Sequence, residues 1–158
     1  MLVKIKNDFM NGTKNIEKKT KIIIYKDFES GDDISYNDTY KGKGSLEVKG
    51  GKIFRINNVP LEENKTYKVS FAIKKDKNIS KKRGSNQLII FNQPRPKGRV
   101  YLINGVGMWK PADEKWYFIE KVFTTKDKNI NHPLLLMLNK NSTASLWIDE
   151  LKIEEIIE

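Results

Sequence analysis

The chain has no cysteine. Disulfide frameworks and thiolate metal sites are therefore excluded, although this absence does not choose a compartment. Histidine occurs once, as His132 immediately before Pro133. A histidine-based zinc site is ruled out by number. A Ser-His-Asp or Cys-His site would have to use this one residue, and nothing around it resembles a nucleophile elbow. No apolar run approaches the roughly 20 residues of a membrane span, so no membrane insertion is expected. Residues 1–6 lack an apolar core of signal-peptide length. Either the chain stays inside, or a leader has been removed. Arginine is scarce, with 4 against 26 lysines in a net charge of +10. Arginine supplies bidentate contacts and stacking on bases, so lysine without it is a weak nucleic-acid signal, and no nucleic-acid partner is expected. The charge reads first as a lysine-rich solvated surface. Its other reading is an attraction to acidic glycans, anionic wall polymers or a negative protein partner.

Helical periodicity is also missing; the segment 15–19 is too short and polar to be more than a turn. What the chain does have is a series of short β runs, at 2–6, 21–25, 45–48, 53–59, 67–74, 87–92, 99–103, 116–124, 134–138 and 145–153. They are divided by Gly, Asn, Asp, Lys and Pro clusters. Such spacing predicts an all-β protein, a sandwich or a barrel. In 67–74, Tyr67, Val69, Phe71 and Ile73 alternate with Lys68, Ser70, Ala72 and Lys74, which makes one face core and the other polar with small residues. In 116–124, Trp116, Phe118 and Val122 share one parity and Tyr117, Ile119 and Phe123 the other. Trp116 is expected in the core, with a bulge available to switch the inner face. The basic loops 74–83 and 94–98 are expected at opposite ends of a meander, which argues against one anion groove.

The last run sets the main question. A period of two puts Trp147, Asp149, Leu151 and Ile153 on one face. A carboxylate among large apolar residues must be hydrogen-bonded, paired or bound to a cation. Asp149 is thus a turn or bulge residue that caps backbone amides, a partner of a lysine, or a metal ligand.

Four pieces resemble the carbohydrate-binding modules attached to xylanases and related glycanases (families 4, 9 and 22), which share a galactose-binding-like jelly roll. They are Asp27-Phe28-Glu29-Ser30-Gly31; Tyr40-Lys41-Gly42-Lys43-Gly44-Ser45-Leu46-Glu47-Val48; the segment 61–71; and 116–124 followed by Leu146-Trp147-Ile148-Asp149-Glu150-Leu151. They occur in family order and cover roughly 21–154. The resemblance implies an all-β, two-sheet antiparallel sandwich over 21–158. Residues 1–20 have no counterpart in it and read as an extension able to add a strand or hairpin or to bind a protein partner. It also implies binding of a polysaccharide or cell-wall glycan without cleavage, and a structural Ca²⁺. In such modules the Glu of the early Phe-Glu pair and the Asp of the last strand sit at that ion; the matching positions are Glu29 and Asp149. Hard oxygen ligands suit calcium. The Trp that commonly follows the Phe-Glu segment is missing, and Ser35-Tyr36 is the nearest substitute.

Sugar recognition needs aromatic planes and convergent polar groups. Candidates are Trp109, in the long connection 105–115, with Phe91 and Tyr101, and Gln87, Asn92, Gln93 and Asn104 near them. Trp109 reads equally as a plug at the end of the core, and Phe91 and Tyr101 as strand packing. Paired carboxylates for glycoside cleavage have no motif here, and Gly105-Val106-Gly107 precedes no helix that would make it a phosphate loop. An enzyme is not expected. The alternative function is a structural or adhesion protein, such as a phage-tail or cell-surface component using the same fold for assembly. Either role would be played outside the cell, at its surface or on a virion.

Overall fold

The computed structural model describes residues 18–80, 86–91, 100–102, 110–125, 134–140 and 143–157. The expected strand 2–6, nearly all of the N-terminal extension 1–20 with its partner-binding role, His132 and the whole second basic loop lie outside them.

Ten strands occur among the described residues: β1 (Lys19–Lys26), β2 (Ile34–Ser35), β3 (Ser45–Val48), β4 (Ile53–Ile56), β5 (Thr66–Lys75), β6 (Asn86–Phe91), β7 (Val100–Leu102), β8 (Trp116–Thr124), β9 (Leu134–Asn139) and β10 (Leu146–Ile157). They form two antiparallel sheets. The larger has the order β2-β3-β10-β5-β8, with β1 also paired to β10; the smaller is β4-β9-β6-β7. The expected two-sheet sandwich is therefore the observed architecture.

The last strand is the centre of the larger sheet. Along one edge β10 pairs with β5 from Leu146 to Ile156. Its other edge is shared, with β3 taking Leu146 to Ile148 and β1 taking Leu151 to Ile157. Between the sheets lie the fully buried Tyr67, Phe71, Ile73, Leu135, Met137, Leu146, Ile148, Leu151 and Ile153. Each large apolar side chain so buried stabilises the fold by about 1.5–3 kcal/mol before conformational entropy is subtracted. Asn139 stitches the sheets together. Its side-chain amide, fully buried at the end of β9, donates to the carbonyls of Val48 (2.7 Å) and Ala144 (2.9 Å).

Two expectations about strand faces are corrected. In β10 the inward side chains are Leu146 and Ile148, then Leu151 and Ile153. Trp147 is only half-buried, so it does not share a face with Leu151. The cause is one extra residue. Asp149 pairs with Ala72 and the next registered pair is Lys152 with Ser70, so three steps on β10 face two on β5. Glu150 takes a left-handed backbone, φ 51°, at this bulge. In β8 the register against β5 runs unbroken, with no bulge. Ile119 is buried, Tyr117 and Phe123 pack on the core, and Phe118 and Val122 are exposed. Trp116 belongs to the outward row, where it is half-buried rather than core.

Candidate functional site

The bulge in β10 falls where its free edge passes from β3 to β1. At that gap no strand supplies acceptors, and Asp149 does so instead. It is fully buried. Its Oδ2 accepts hydrogen bonds from the amides of Tyr40 (3.0 Å) and Lys41 (2.9 Å), and its Oδ1 accepts one from Glu150 (2.8 Å). Burial raises its pKa above the usual carboxylate range, against the opposing pull of the three amides.

Glu29 holds the other end of the same loop. Phe28 sits in the core with a left-handed backbone, φ 54°, and its ring meets that of Phe54 edge-on at 5.7 Å. The next side chain is thereby turned toward the loop, where Glu29 Oε1 and Oε2 both accept from the amide of Lys43 (3.0 and 2.8 Å). Gly42 has φ 72°, and a Cβ there would stand 1.9 Å from Glu29 Oε1. Gly44 is as constrained, since a Cβ would stand 2.4 Å from the Phe28 carbonyl oxygen. The small residues of the Tyr40–Gly44 turn are thus where the chain must pass closest to Glu29 and Phe28. A third tether is Asp38, whose carboxylate pairs with Lys74 and whose carbonyl accepts from the Ser45 hydroxyl. Lys74 also lies over the Trp147 ring, 5.2 Å from its centre.

The held loop carries an aromatic side chain to a defined place. The Tyr40 ring lies 5.9 Å from that of Trp116 and stacks at 6.4 Å on that of Phe118. Ala72, opposite both Asp149 and Phe118 in the sheet, is fully buried on this side. The small size of Ala72 on the polar face of β5 is explained by the loop lying across it.

Glu29 and Asp149, 120 residues apart in sequence (149 − 29), therefore meet one short loop. A carboxylate oxygen can accept two hydrogen bonds. Asp149 Oδ1 accepts one from the described residues, and each Glu29 oxygen accepts one. Hard oxygen donors with acceptor capacity left over fit a calcium ion in kind. Among the described residues no group of three or more His, Cys, Asp or Glu side chains is placed to hold a metal. An ion here would complete its shell from carbonyls and water.

The expected sugar-binding residues belong to the smaller sheet and its connections. Trp109, Asn92, Gln93 and Asn104 lie outside the described residues. Gln87 and Phe91 are on β6 and Tyr101 is on β7. Register divides these three. Gln87 is opposite Leu138, and Leu138 is opposite Ile53, whereas Tyr101 is opposite Ile90, and Ile90 is opposite the buried Leu135. Tyr25, Tyr36, Tyr40 and Phe118 are all exposed, and none was singled out as a binding residue from sequence. The available signal was the row of small residues on β5: Ser70 and Ala72 cannot cover an aromatic neighbour.

No family model matches the chain, and no curated relative matches it. Solved structures do. The CBM22-1 xylan-binding domain of Paenibacillus barcinonensis Xyn10C is 16% identical, with 89% of this chain and 98% of that domain covered at a TM-score of 0.62. A family 16 carbohydrate-binding module is 18% identical, with 79% and 84% covered at a TM-score of 0.53. The enzymatically active domain of bacteriophage CBA120 tailspike protein 4 is 12% identical; 90% of this chain matches only 20% of that one, at a TM-score of 0.52. The chain thus has the two-sheet sandwich fold of the carbohydrate-binding modules, as the four sequence pieces implied.

Proposed function

We propose that the chain is a non-catalytic module that binds a polysaccharide outside the cell. The observation that carries this reading is the match to a xylan-binding domain over 98% of that domain's length. It is joined by a loop that spends two carboxylates on positioning rather than on chemistry. Acids poised for glycoside cleavage would face each other across a bond to be broken, whereas Glu29 and Asp149 both face backbone amides. Trp109, Phe91, Gln87, Asn92, Gln93 and Asn104 remain the proposed sugar-contacting set on and around β6, whereas Tyr101 falls in the register row of Ile90 and the buried Leu135, on the other face of that sheet. Glu29 and Asp149 are the residues that would hold a structural Ca²⁺, whose role would be to fix the Tyr40–Gly44 turn. The assembly reading draws on the tailspike likeness, which concerns fold alone.

The test is retardation of the purified protein in native gels containing soluble xylan, mixed-linkage glucan, mannan or starch. Retardation by one polymer, relieved by its free oligosaccharide, is the expected result. Migration unaffected by every polymer, together with stable assembly into a defined oligomer, would favour the structural role instead.

A further inference from the structure

The outer face of the larger sheet bears a cleft of about 260 Å³ lined by Ile22, Tyr25, Lys41, Ser70, Phe118, Glu150 and Lys152. Its origin lies in the sheet. Tyr25, Lys152, Ser70 and Glu120 form one register row across β1, β10, β5 and β8, and Phe118 stands in the adjacent row opposite Ala72. Ser70 contributes almost no bulk above the sheet. The aromatic rings of Tyr25 and Phe118, 47% and 50% exposed, therefore rise on either side of a floor, and Lys41 of the tethered loop closes one end. The bulge adds a polar wall: Glu150, in its left-handed conformation, accepts a hydrogen bond of 2.6 Å from the Tyr25 hydroxyl.

We infer that this cleft is a second glycan subsite, on the opposite sheet from β6 and β7, which takes a single neutral sugar ring of a polysaccharide. The inference rests on the carbohydrate-binding reading above and adds where a sugar is held. Two exposed aromatic planes flank the cleft, and a carboxylate, a phenol and two ammonium groups line it above the buried Ser70. Apolar planes with convergent donors and acceptors are what a pyranose presents surfaces to. The volume is below the roughly 300–1,000 Å³ of pockets for drug-sized ligands, which suits one ring rather than a longer segment. A purely apolar partner would leave Glu150 and Lys152 without water or a replacement for it. A phosphodiester would meet the Glu150 carboxylate on the wall where Tyr25 stands.

The experiment uses the full chain and whichever of soluble xylan, mixed-linkage glucan, mannan or starch retards it most. Titration calorimetry with that polymer compares wild type, Phe118→Ala, Tyr25→Ala and Trp109→Ala. Both cleft side chains are about half exposed, so thermal midpoints should stay close to wild type. Each cleft substitution is expected to weaken binding about tenfold, the scale of losing one aromatic face. Wild-type affinity in both cleft variants, with or without a loss in Trp109→Ala, would overturn the second subsite and leave the carbohydrate-binding reading standing. A wild-type chain that binds none of the four polymers would bring down both.

Discussion

Replacing Asp149 by alanine tests the structural core of this account. The substitution removes the acceptor of the Tyr40 and Lys41 amides, which have no strand partner at that gap. A hydrogen bond to a charged group contributes about 1.5–3 kcal/mol, so two lost bonds amount to about 3–6 kcal/mol. Part of this is offset, because an ionised carboxylate buried at the bulge has itself given up hydration, the reason its pKa is raised. A net loss of about 3 kcal/mol is expected. For a chain of 158 residues, 1 kcal/mol moves the midpoint by roughly 2–4 °C, so the melt should fall by about 6–12 °C. Asp149→Asn separates packing from acceptance. It keeps the shape and one acceptor oxygen but turns an NH₂ toward at least one of the three N–H donors, and should lose part of what alanine loses. Thermal unfolding followed by far-UV circular dichroism reads the stability, and near-UV dichroism reads the release of Tyr40 from Trp116 and Phe118. Each melt is run with calcium and with a chelator; a calcium-dependent rise in wild type that vanishes in Asp149→Ala would support the ion. Midpoints for both variants within about 2 °C of wild type would refute the tethering argument. Equal wild-type melts in calcium and chelator would end the calcium proposal alone.

Further expectations follow from neighbouring contacts. Glu154 is buried, which disfavours its charge, yet Lys68 at 3.2 Å, the Thr20 hydroxyl at 3.0 Å and Lys152 at 3.5 Å together hold its pKa below the usual carboxylate range. The unfolded chain therefore binds the proton more readily than the folded one. This contribution is present above about pH 4.5 and is lost as pH falls through the lower folded value. Glu154→Gln should cost about 1–2 kcal/mol at pH 7 and flatten the acid limb of a stability profile measured by urea unfolding. Gly44→Ala should destabilise by more than about 2 kcal/mol, because its Cβ would meet backbone at 2.4 Å and Ile34 Cγ2 at 2.8 Å rather than a movable side-chain tip; urea midpoints check this. Asn139→Ala leaves the carbonyls of Val48 and Ala144 without its amide and should cost about 2–4 kcal/mol, with faster hydrogen exchange at the β3 end if the two sheets loosen there.

The sandwich was legible because its strands alternate and are cleanly punctuated. β3 and β8 begin and end where the pattern does. β2 was not foreseen, since two residues, Ile34 and Ser35, carry no period. The facing of β10 was not read, because one inserted residue reverses the alternation; a bulge at Asp149 was among its readings, but the period of two was carried through it. The facing of β8 was obscured by aromatics on both parities; only its pairing with Ser70 and Ala72 sorts them. The anomaly of Asp149 was visible, and amide capping was among its three readings. Its partners were not visible, because hydrogen bonds spanning 108 and 109 residues leave no local mark. Tyr40 was noticed as part of a turn and not as a ring delivered to Trp116 and Phe118.

The position of β10 also governs how the domain is made. A strand that three others need is the last of the described strands to be synthesised, so β1, β3 and β5 leave the ribosome as open edges with no template between them. Until residues 146–157 emerge, these edges are exposed to one another and to neighbouring chains. Closure then has to bridge from Lys19 to Ile157 in one step, a long-range pairing that makes for slow folding. Expression at low temperature, or with a holding chaperone, should raise the yield of folded protein.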